Sequence, residues 1–285
     1  MYLSCFKFPD EDQEWSFAMG IKRTCYDTFY PFKVLSKRGL FSLEFEPVTI
    51  LYGGNGSGKT TALNVIAEKL RLERDTLYNR SNFFEDYTAL CRYEVHRPIP
   101  QGSRIITSDD VFDFMLNLRS LNQGIDRRRE DLFEEYTEAK YSTGFRMRSL
   151  DDYDQLKRVT DAQSQSQSKY VRRRLRDNVR EHSNGESAFL YFTEKIREDA
   201  LYLLDEPENS LSPKMQRELL QFLTDSARFY HCQFIIATHS PFLLSLPGAK
   251  VYDMDEPPVT VKKWTELPGV RAYYGFFKEH EREFE

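Results

Sequence analysis

Several features that would mark a secreted, zinc-bound or membrane-embedded protein are missing from this chain. Its 285 residues include only four cysteines, Cys5, Cys25, Cys91 and Cys232. None forms a C-x-x-C pair, and no histidine stands at zinc-like spacing from them. They read as reduced packing residues of a cytoplasmic protein. No apolar run approaches the ~20 residues needed to cross a bilayer. The opening "MYLSCFKFPDEDQEW" lacks a basic stretch followed by a long apolar one, so no secretory leader is expected. A strong charge of one sign is also missing: the net charge is −5. The surface as a whole therefore does not advertise nucleic-acid binding. Internal repeats are absent, and "DAQSQSQSK" is the one low-complexity spacer.

What is present is an α/β pattern. "YLSCFKF", "FSLEFE" and "VTILYGG" read as strands. The third runs into glycines and then into the helical period of "KTTALNVIAEKLRLE". "SRIITS" predicts a strand, and "DDVFDFMLNLRSL" a helix capped by Ser108 or Asp109. After a polar middle, "SAFLYFTEKIRE" predicts a helix and "ALYLLDE" a buried strand. "SPKMQRELLQFLTDSARFY" predicts a helix with Pro213 in its first turn. "CQFIIATHS" and "KVYDMD" add strands, and "VRAYYGFFKEHEREFE" a closing helix. Near-continuous apolar strands alternating with helices imply a mainly parallel sheet covered on both faces.

The first chemistry-bearing motif is "GGNGSGKTT". It contains G-x-x-x-x-G-K-T from Gly53 to Thr60, between a buried strand and a helix. Glycines at this spacing let backbone N–H groups turn inward around phosphate oxygens. The helix then adds its positive N-terminal dipole. Gly53, Gly54, Asn55, Gly56, Ser57, Gly58, Lys59, Thr60 and Thr61 form the expected nucleotide cradle. Lys59 is expected to reach the β- and γ-phosphates, and Thr60 to ligate Mg²⁺. The second motif, "LLDEPE", ends an apolar strand in acids. Asp205 is expected in the Mg²⁺ shell. Glu206 is expected as the general base that activates water. Third, "FIIATHSP" ends another buried strand in His239, read as a sensor of the γ-phosphate at the carboxyl edge of the sheet.

The order phosphate loop, "YLLDEPENSLSP", "QFIIATHSPFLL" resembles ABC-type ATPases of the soluble RecF/SbcC/SMC-like branch. It is most similar to small predicted bacterial ATPases of the AAA family. The resemblance implies an α/β P-loop NTPase of ABC-ATPase type. Its mainly parallel core sheet would carry an N-terminal antiparallel β part and a helical lobe insertion. Residues 1–285 would form one head, with 123–182 as the inserted lobe. "SNGE", Ser183 to Glu186, falls 22 residues before Asp205, where the family carries S-G-G-Q. By that rule Ser183 and Gly185 bind the γ-phosphate of ATP held by a second copy, with the helix from Ser187 aimed at it. The implied assembly is a head-to-tail homodimer around ATP and Mg²⁺.

Asn184 stands in place of the family's first signature Gly, and Glu186 in place of its Gln. The Gln that follows the second core strand is missing, with Asp109 the nearest polar residue. Tyr26, Tyr30 and Phe32 lie where the adenine-stacking aromatic is sought; each also reads as a packing residue.

Residues 140–180 hold 11 Lys or Arg against 5 Asp or Glu, so a basic segment sits on an acidic body. Arg127, Arg128, Arg129, Arg172, Arg173, Arg174 and Arg176 could track a DNA or RNA backbone, or line a solvated, salt-bridged helix face. Three functions stay open. One is an ATP-hydrolysing dimer coupled to nucleic-acid clamping or a partner effector protein, in DNA repair or anti-phage defence. The second is the ATP-binding subunit of an ABC transporter. The third is a dimerisation switch that hydrolyses slowly.

Overall fold

The computed structural model describes residues 1–22, 25–26, 28–142, 153–175 and 184–284. The chain divides into two compact units, one made of 1–112 with 184–285 and the other of 113–183.

The first unit holds two sheets. Strands β1 (Leu3–Lys7), β2 (Ser42–Glu44) and β4 (Arg92–Val95) form a small antiparallel sheet in the order β2-β1-β4. The larger sheet contains β3 (Val48–Tyr52), β5 (Arg104–Thr107), β6 (Leu201–Asp205), β7 (Gln233–Thr238), β8 (Lys250–Asp253) and β9 (Thr260–Val261). Its order is β5-β6-β7-β3-β8-β9, parallel except for the β8–β9 pair. This is the α/β architecture expected, a mainly parallel core with a separate antiparallel part. Every position of β3, β6 and β7 is buried, which is why these segments read as unbroken apolar runs rather than alternating ones. The Gln233 side chain joins the sheets. It accepts from Tyr2 N and Leu3 N at 2.7 and 2.9 Å and donates to Leu3 O at 2.7 Å.

Helices of this unit are α1 (Glu11–Gly20), α2 (Lys59–Leu70), α3 (Phe84–Leu90), α7 (Asn184–Lys195), α8 (Pro213–Phe229), α9 (Pro241–Leu244) and α10 (Pro268–Glu279). Helix α2 follows β3 directly and buries Ala62, Leu63, Val65 and Ile66 completely. Helix α8 starts where the sequence sets its cap: Ser212 accepts from Met215 N, and Pro213 takes the first turn.

The second unit contains most of α4 (Ser108–Tyr141), with α5 (Tyr153–Ser164) and α6 (Gln167–Arg172). Helix α4 runs on well past "DDVFDFMLNLRSL". Ion pairs at i,i+3 spacing, Arg128–Asp131 and Arg129–Asp126, support its polar second half. A small core of Leu132, Ala162, Tyr170 and Val171 holds α4, α5 and α6 together. Tyr136 Oη and Lys140 Nζ donate to the carbonyls that end α5.

Candidate functional site

Parallel register brings the strand ends into a row. Thr107 lies opposite Asp205, Asp205 opposite Ala237, Tyr52 opposite Thr238, and Tyr52 opposite Asp253. The phosphate loop leaves this edge from β3, the acids from β6 and the histidine from β7. Sequence positions 53–60, 205–206 and 239 are thereby gathered at one end of the sheet.

The loop itself is folded around its lysine. Lys59 Nζ donates to Gly53 O at 2.6 Å and Gly54 O at 3.0 Å and is 4% exposed. Gly56 and Gly58 take left-handed backbone conformations, φ 81 and 96, which other residues adopt only with strain. Gly54, Asn55, Gly56 and Thr60 are exposed, whereas Ser57 and Thr61 are buried. Ser57 Oγ is buried with no protein partner. Two groups unread in the sequence brace the loop from outside. Asp255 Oδ1 accepts from Gly54 N at 2.7 Å, and Arg38 donates to Gly56 O and Asp255 O at 3.2 Å each.

Facing the loop are the β6 acids. Asp205 is 7% exposed, and its Oδ1 is buried without a partner. Burial pushes its carboxyl up from 3.8 to about 6, opposed by the Thr60 hydrogen bond and the Lys59 charge and reinforced by Glu206 and Glu208. Glu206 turns out of the strand at φ 49. Its Oε1 comes within 3.6 Å of Lys59 Nζ and 3.9 Å of His239 Nδ1. His239 is half exposed. Its backbone is fixed by Glu208, an acid outside the set expected from the motifs. Glu208 Oε1 accepts from Thr238 Oγ1 at 2.6 Å, His239 N at 2.9 Å and Ser240 N at 3.1 Å. The repeated acid in "DEPE" was the signal: two residues after Glu206, across Pro207, a second carboxylate points back into the sheet edge.

Next to Asp205, β5 ends in a capping box. Asp110 Oδ2 accepts from Thr107 N at 2.6 Å and Thr107 Oγ1 at 2.8 Å. Asp109 is exposed beside it, while Asp110 is buried. Arg74 lies in the fields of Asp110 and Asp205; burial lowers its pKa. Its guanidinium stacks on Tyr78 at 3.9 Å and bonds Asn64. Of the three aromatics, Phe32 is buried and stacked on Phe17, and Tyr26 packs edge-on against Phe83. Tyr30 donates to Thr61 Oγ1 at 3.2 Å. Phe32 is thus committed to the core, and Tyr30 is the one that reaches the phosphate-loop helix.

Ser183 and Arg176 lie outside the described residues. Helix α7 begins at Asn184, not at Ser187, so Gly185 and Glu186 occupy its first turn. A first turn leaves backbone N–H groups without intrahelical partners, and an acid there is stabilised by the helix dipole. That is a physical reason for Glu186 in place of a neutral side chain. A Cβ on Gly185 would meet Met215 Cγ at 3.4 Å and Ser210 O at 3.6 Å, so this turn lies against the segment that follows the β6 acids. Tyr191 and Lys195 of α7 donate to Asp75 at 3.0 and 2.6 Å.

In the second unit, Arg128 pairs with Glu135 at 2.9 Å and Arg129 with Asp126. Arg174 pairs with Asp161 at 2.6 Å while covering the Tyr170 ring. Arg127, Arg172 and Arg173 are exposed. No described helix is long and apolar enough to cross a membrane. Among the described residues no cluster of three or more His, Cys, Asp or Glu could hold a metal. A Mg²⁺ that arrives with a nucleotide needs fewer, because phosphates and water supply most of its ligands.

Residues 67–245, more than half of the chain, match the family model described as "AAA domain, putative AbiEii toxin, Type IV TA system". The match contains Asp205 and His239 and begins after the phosphate loop. No curated protein matches the sequence. Similar solved structures include the SMC head domain from Thermotoga maritima, at 14% identity and TM-score 0.39, covering 92% of this chain and 99% of that one. Another is the Smc head domain from Pyrococcus furiosus with an extended coiled coil, bound to the C-terminal domain of ScpA. It gives 13% identity and TM-score 0.38, covering 84% of this chain and 95% of that one. A dimeric ATP-binding cassette bound to ADP and Pi gives 13% and 0.36, covering 79% and 90%. TM-scores this low leave the fold to rest on the sheet topology itself.

Proposed function

The chain belongs to the family described as "AAA domain, putative AbiEii toxin, Type IV TA system", and from that membership we propose a Mg²⁺-dependent ATPase that works as a head-to-tail dimer closed on ATP. The output is clamping of nucleic acid or control of a partner protein, in defence or repair. The observation that best supports this is the convergence of Lys59, Asp205, Glu206 and His239 at one sheet edge, with Lys59 Nζ 3.6 Å from Glu206 Oε1.

The residues fit a magnesium nucleotide. Gly54, Asn55 and Gly56 are exposed on the loop and offer backbone N–H groups to phosphate oxygens. Lys59 adds a fixed positive charge. Asp205 has a buried oxygen without a partner beside Thr60, so these two residues would hold the metal. Bound magnesium would draw charge from the phosphate oxygens. Glu206 accepts the proton of the attacking water at its carboxylate, and Lys59, released toward phosphate, frees Glu206 to do so. His239, held by Glu208 through its own backbone N–H, orients its imidazole toward the terminal phosphate. Gly185 and Ser183 of a second copy would cap that phosphate from the other side.

A second reading is supported by the Lys59–Glu206 contact. A base held by a cation works slowly until the cation is drawn elsewhere, as expected of a dimerisation switch with low basal turnover. Steady-state turnover with and without DNA separates the two readings. For the main reading, Glu206→Gln should lower turnover by about 10³-fold and yield an ATP-bound dimer on addition of ATP and Mg²⁺. Ser183→Arg in that background should remain monomeric. A Glu206→Gln protein that turns over ATP like the parent sinks the assignment.

A further inference from the structure

We propose that Tyr30 serves the phosphates of the nucleotide with its hydroxyl, by turning the Thr61 hydroxyl outward as a donor, rather than the base with its ring. The inference rests on the phosphate site proposed above and makes Tyr30 a positioning residue of that site.

Thr61 is the third residue of α2. The first bond of that helix runs from Ala62 N to Gly58 O at 2.9 Å. The N–H groups of Lys59, Thr60 and Thr61 are therefore left for an anion. The Thr61 hydroxyl stands on the same turn, with one proton to give and lone pairs to share. Tyr30 Oη donates into one of those lone pairs at 3.2 Å.

With that lone pair taken, the Thr61 proton needs an acceptor elsewhere. A threonine in a helix commonly returns its proton to the carbonyl four residues back. Thr137, Thr160 and Thr224 all do so, to Phe133 O at 2.8 Å, Leu156 O at 2.9 Å and Leu220 O at 2.7 Å. Thr61 does not: among the described residues its hydroxyl has no hydrogen bond besides the one from Tyr30. At 8% exposure water replaces a missing acceptor poorly. A phosphate oxygen bound at the three N–H groups supplies one. Two hydroxyls in series, Tyr30 to Thr61 to phosphate, polarise each other and strengthen the terminal bond.

Tyr30 is held for this task. Its carbonyl accepts from Ser81 Oγ. The segment after it is pinned by Glu14, whose Oε2 accepts from Lys33 N at 2.9 Å and Ser36 Oγ at 2.8 Å. The ring packs on the core, with its centre 6.0 Å from that of Phe84. A base-stacking residue gives its ring to the cleft. Here the ring serves the core and the polar tip reaches the phosphate turn.

The test measures binding of Mg·ATP and of inorganic tripolyphosphate with Mg²⁺ to the full chain by calorimetry. Tyr30→Phe keeps the ring and removes the hydroxyl. It should weaken both ligands by the same factor, roughly 3- to 10-fold, the worth of one hydrogen bond. Thr61→Val should weaken both as well, and adding Tyr30→Phe to it should cost nothing further, because the two hydroxyls act as one unit. Thr61→Ser, which keeps the hydroxyl, should retain both affinities and their sensitivity to Tyr30→Phe, so the coupling can be read even if the valine variant folds poorly. Parent affinity in Tyr30→Phe, or losses that multiply in the double variant, overturn the role. So does a Tyr30→Leu protein that loses ATP and keeps tripolyphosphate, the mark of a ring stacked on the base. A parent that binds ATP and not tripolyphosphate overturns the role of Tyr30 alone; one that binds neither overturns the phosphate site with it.

Discussion

At the phosphate-loop end of the sheet, Lys59, Asp205 and Glu208 are all less than a tenth exposed, and Lys59 Nζ and Glu208 Oε1 are bonded within the chain. Helix α10, tied to the end of β3 by the Gly269 N to Tyr52 Oη bond, exposes a row of aromatics that the described residues leave uncovered. The first region behaves like an interior, the second like a surface that keeps apolar area in water. The phosphate-loop flank tolerates buried charge because each group has a nearby counter-group or donor, at a cost only partly offset. The aromatic flank carries little charge, and its cost in water is apolar exposure. Substitutions on the first should therefore change stability and ligand affinity in the isolated chain. Those on the second should leave both nearly unchanged in the isolated chain.

The largest effect is expected at Lys59. Lys59→Ala removes the cation that lies between the loop carbonyls and Glu206. Losing a buried cation that contacts phosphate costs about 2–5 kcal/mol, a loss of ATP affinity of at least ~30-fold. Titration with a fluorescent ATP analogue measures it. Retained affinity within a factor of ten would break the picture of a preformed phosphate flank.

Asp205 comes next, and here the sign is unusual for an acid. Its folded-state pKa is pushed up to about 6, above the ordinary 3.8 of an aspartate. The group's favourable contribution is complete below about pH 4 and is lost as pH rises through 6. At pH 7.5 the ionised, buried carboxylate therefore costs stability, up to about 3 kcal/mol for a shift of this size. Asp205→Asn should raise the melting temperature at pH 7.5, and the gain should vanish near pH 4. Mg²⁺ with ATP should reverse the order, because the metal favours the carboxylate. Thermal melts at the two pH values, with and without Mg·ATP, check each part. A melting temperature that falls on substitution at pH 7.5 without nucleotide would contradict it.

The placement of Asp205 and Lys59 at one sheet edge was legible in the sequence because both sit in short motifs that follow or end buried apolar strands. The strand ends were legible too, since β3, β6 and β7 are apolar at every position. Glu208 was not, because an acid after a proline reads as a turn until the β7 backbone is seen folding back onto it. Strand β4, "RYEV", was missed for a similar reason. It is exposed along its length and is recruited by pairing with β1 rather than by its own pattern. The braces from Asp255 and Arg38 lie about two hundred residues from each other, and no local pattern announces such a contact. In "NGESAFLYF" the helix starts three residues earlier than its apolar period suggests, because polar residues at the N-terminal turn satisfy the backbone without joining the periodicity.

Glu208→Gln should have a smaller effect than either motif residue. The amide keeps an acceptor for Thr238, His239 and Ser240, but charge-assisted bonds are about twice as strong as neutral ones. The new NH₂ also enters a place where Glu208 Oε2 has no partner. A loss of about 1–2 kcal/mol in urea unfolding is expected, with slower ATP turnover through a less firmly held His239. A loss of turnover with no loss of stability would mean that Glu208 meets the substrate directly rather than acting on the β7 turn.

The smallest effect belongs to the second unit. Arg128 pairs with Glu135 at 2.9 Å, but its side chain is about half exposed and theirs is a surface contact, of the kind worth at most about 1 kcal/mol. Arg128→Ala should lower the unfolding free energy measured in urea by less than that. Its effect on nucleic-acid affinity separates the two uses of the basic segment. If Arg128 serves the helix surface, binding of a labelled duplex should be unchanged, while Arg172→Ala with Arg173→Ala, on an exposed turn, should weaken it and flatten its salt dependence. Equal losses from all three would mean that the salt-bridged arginines exchange their carboxylates for phosphates, and that the acidic partners on α4 act as a built-in competitor for nucleic acid.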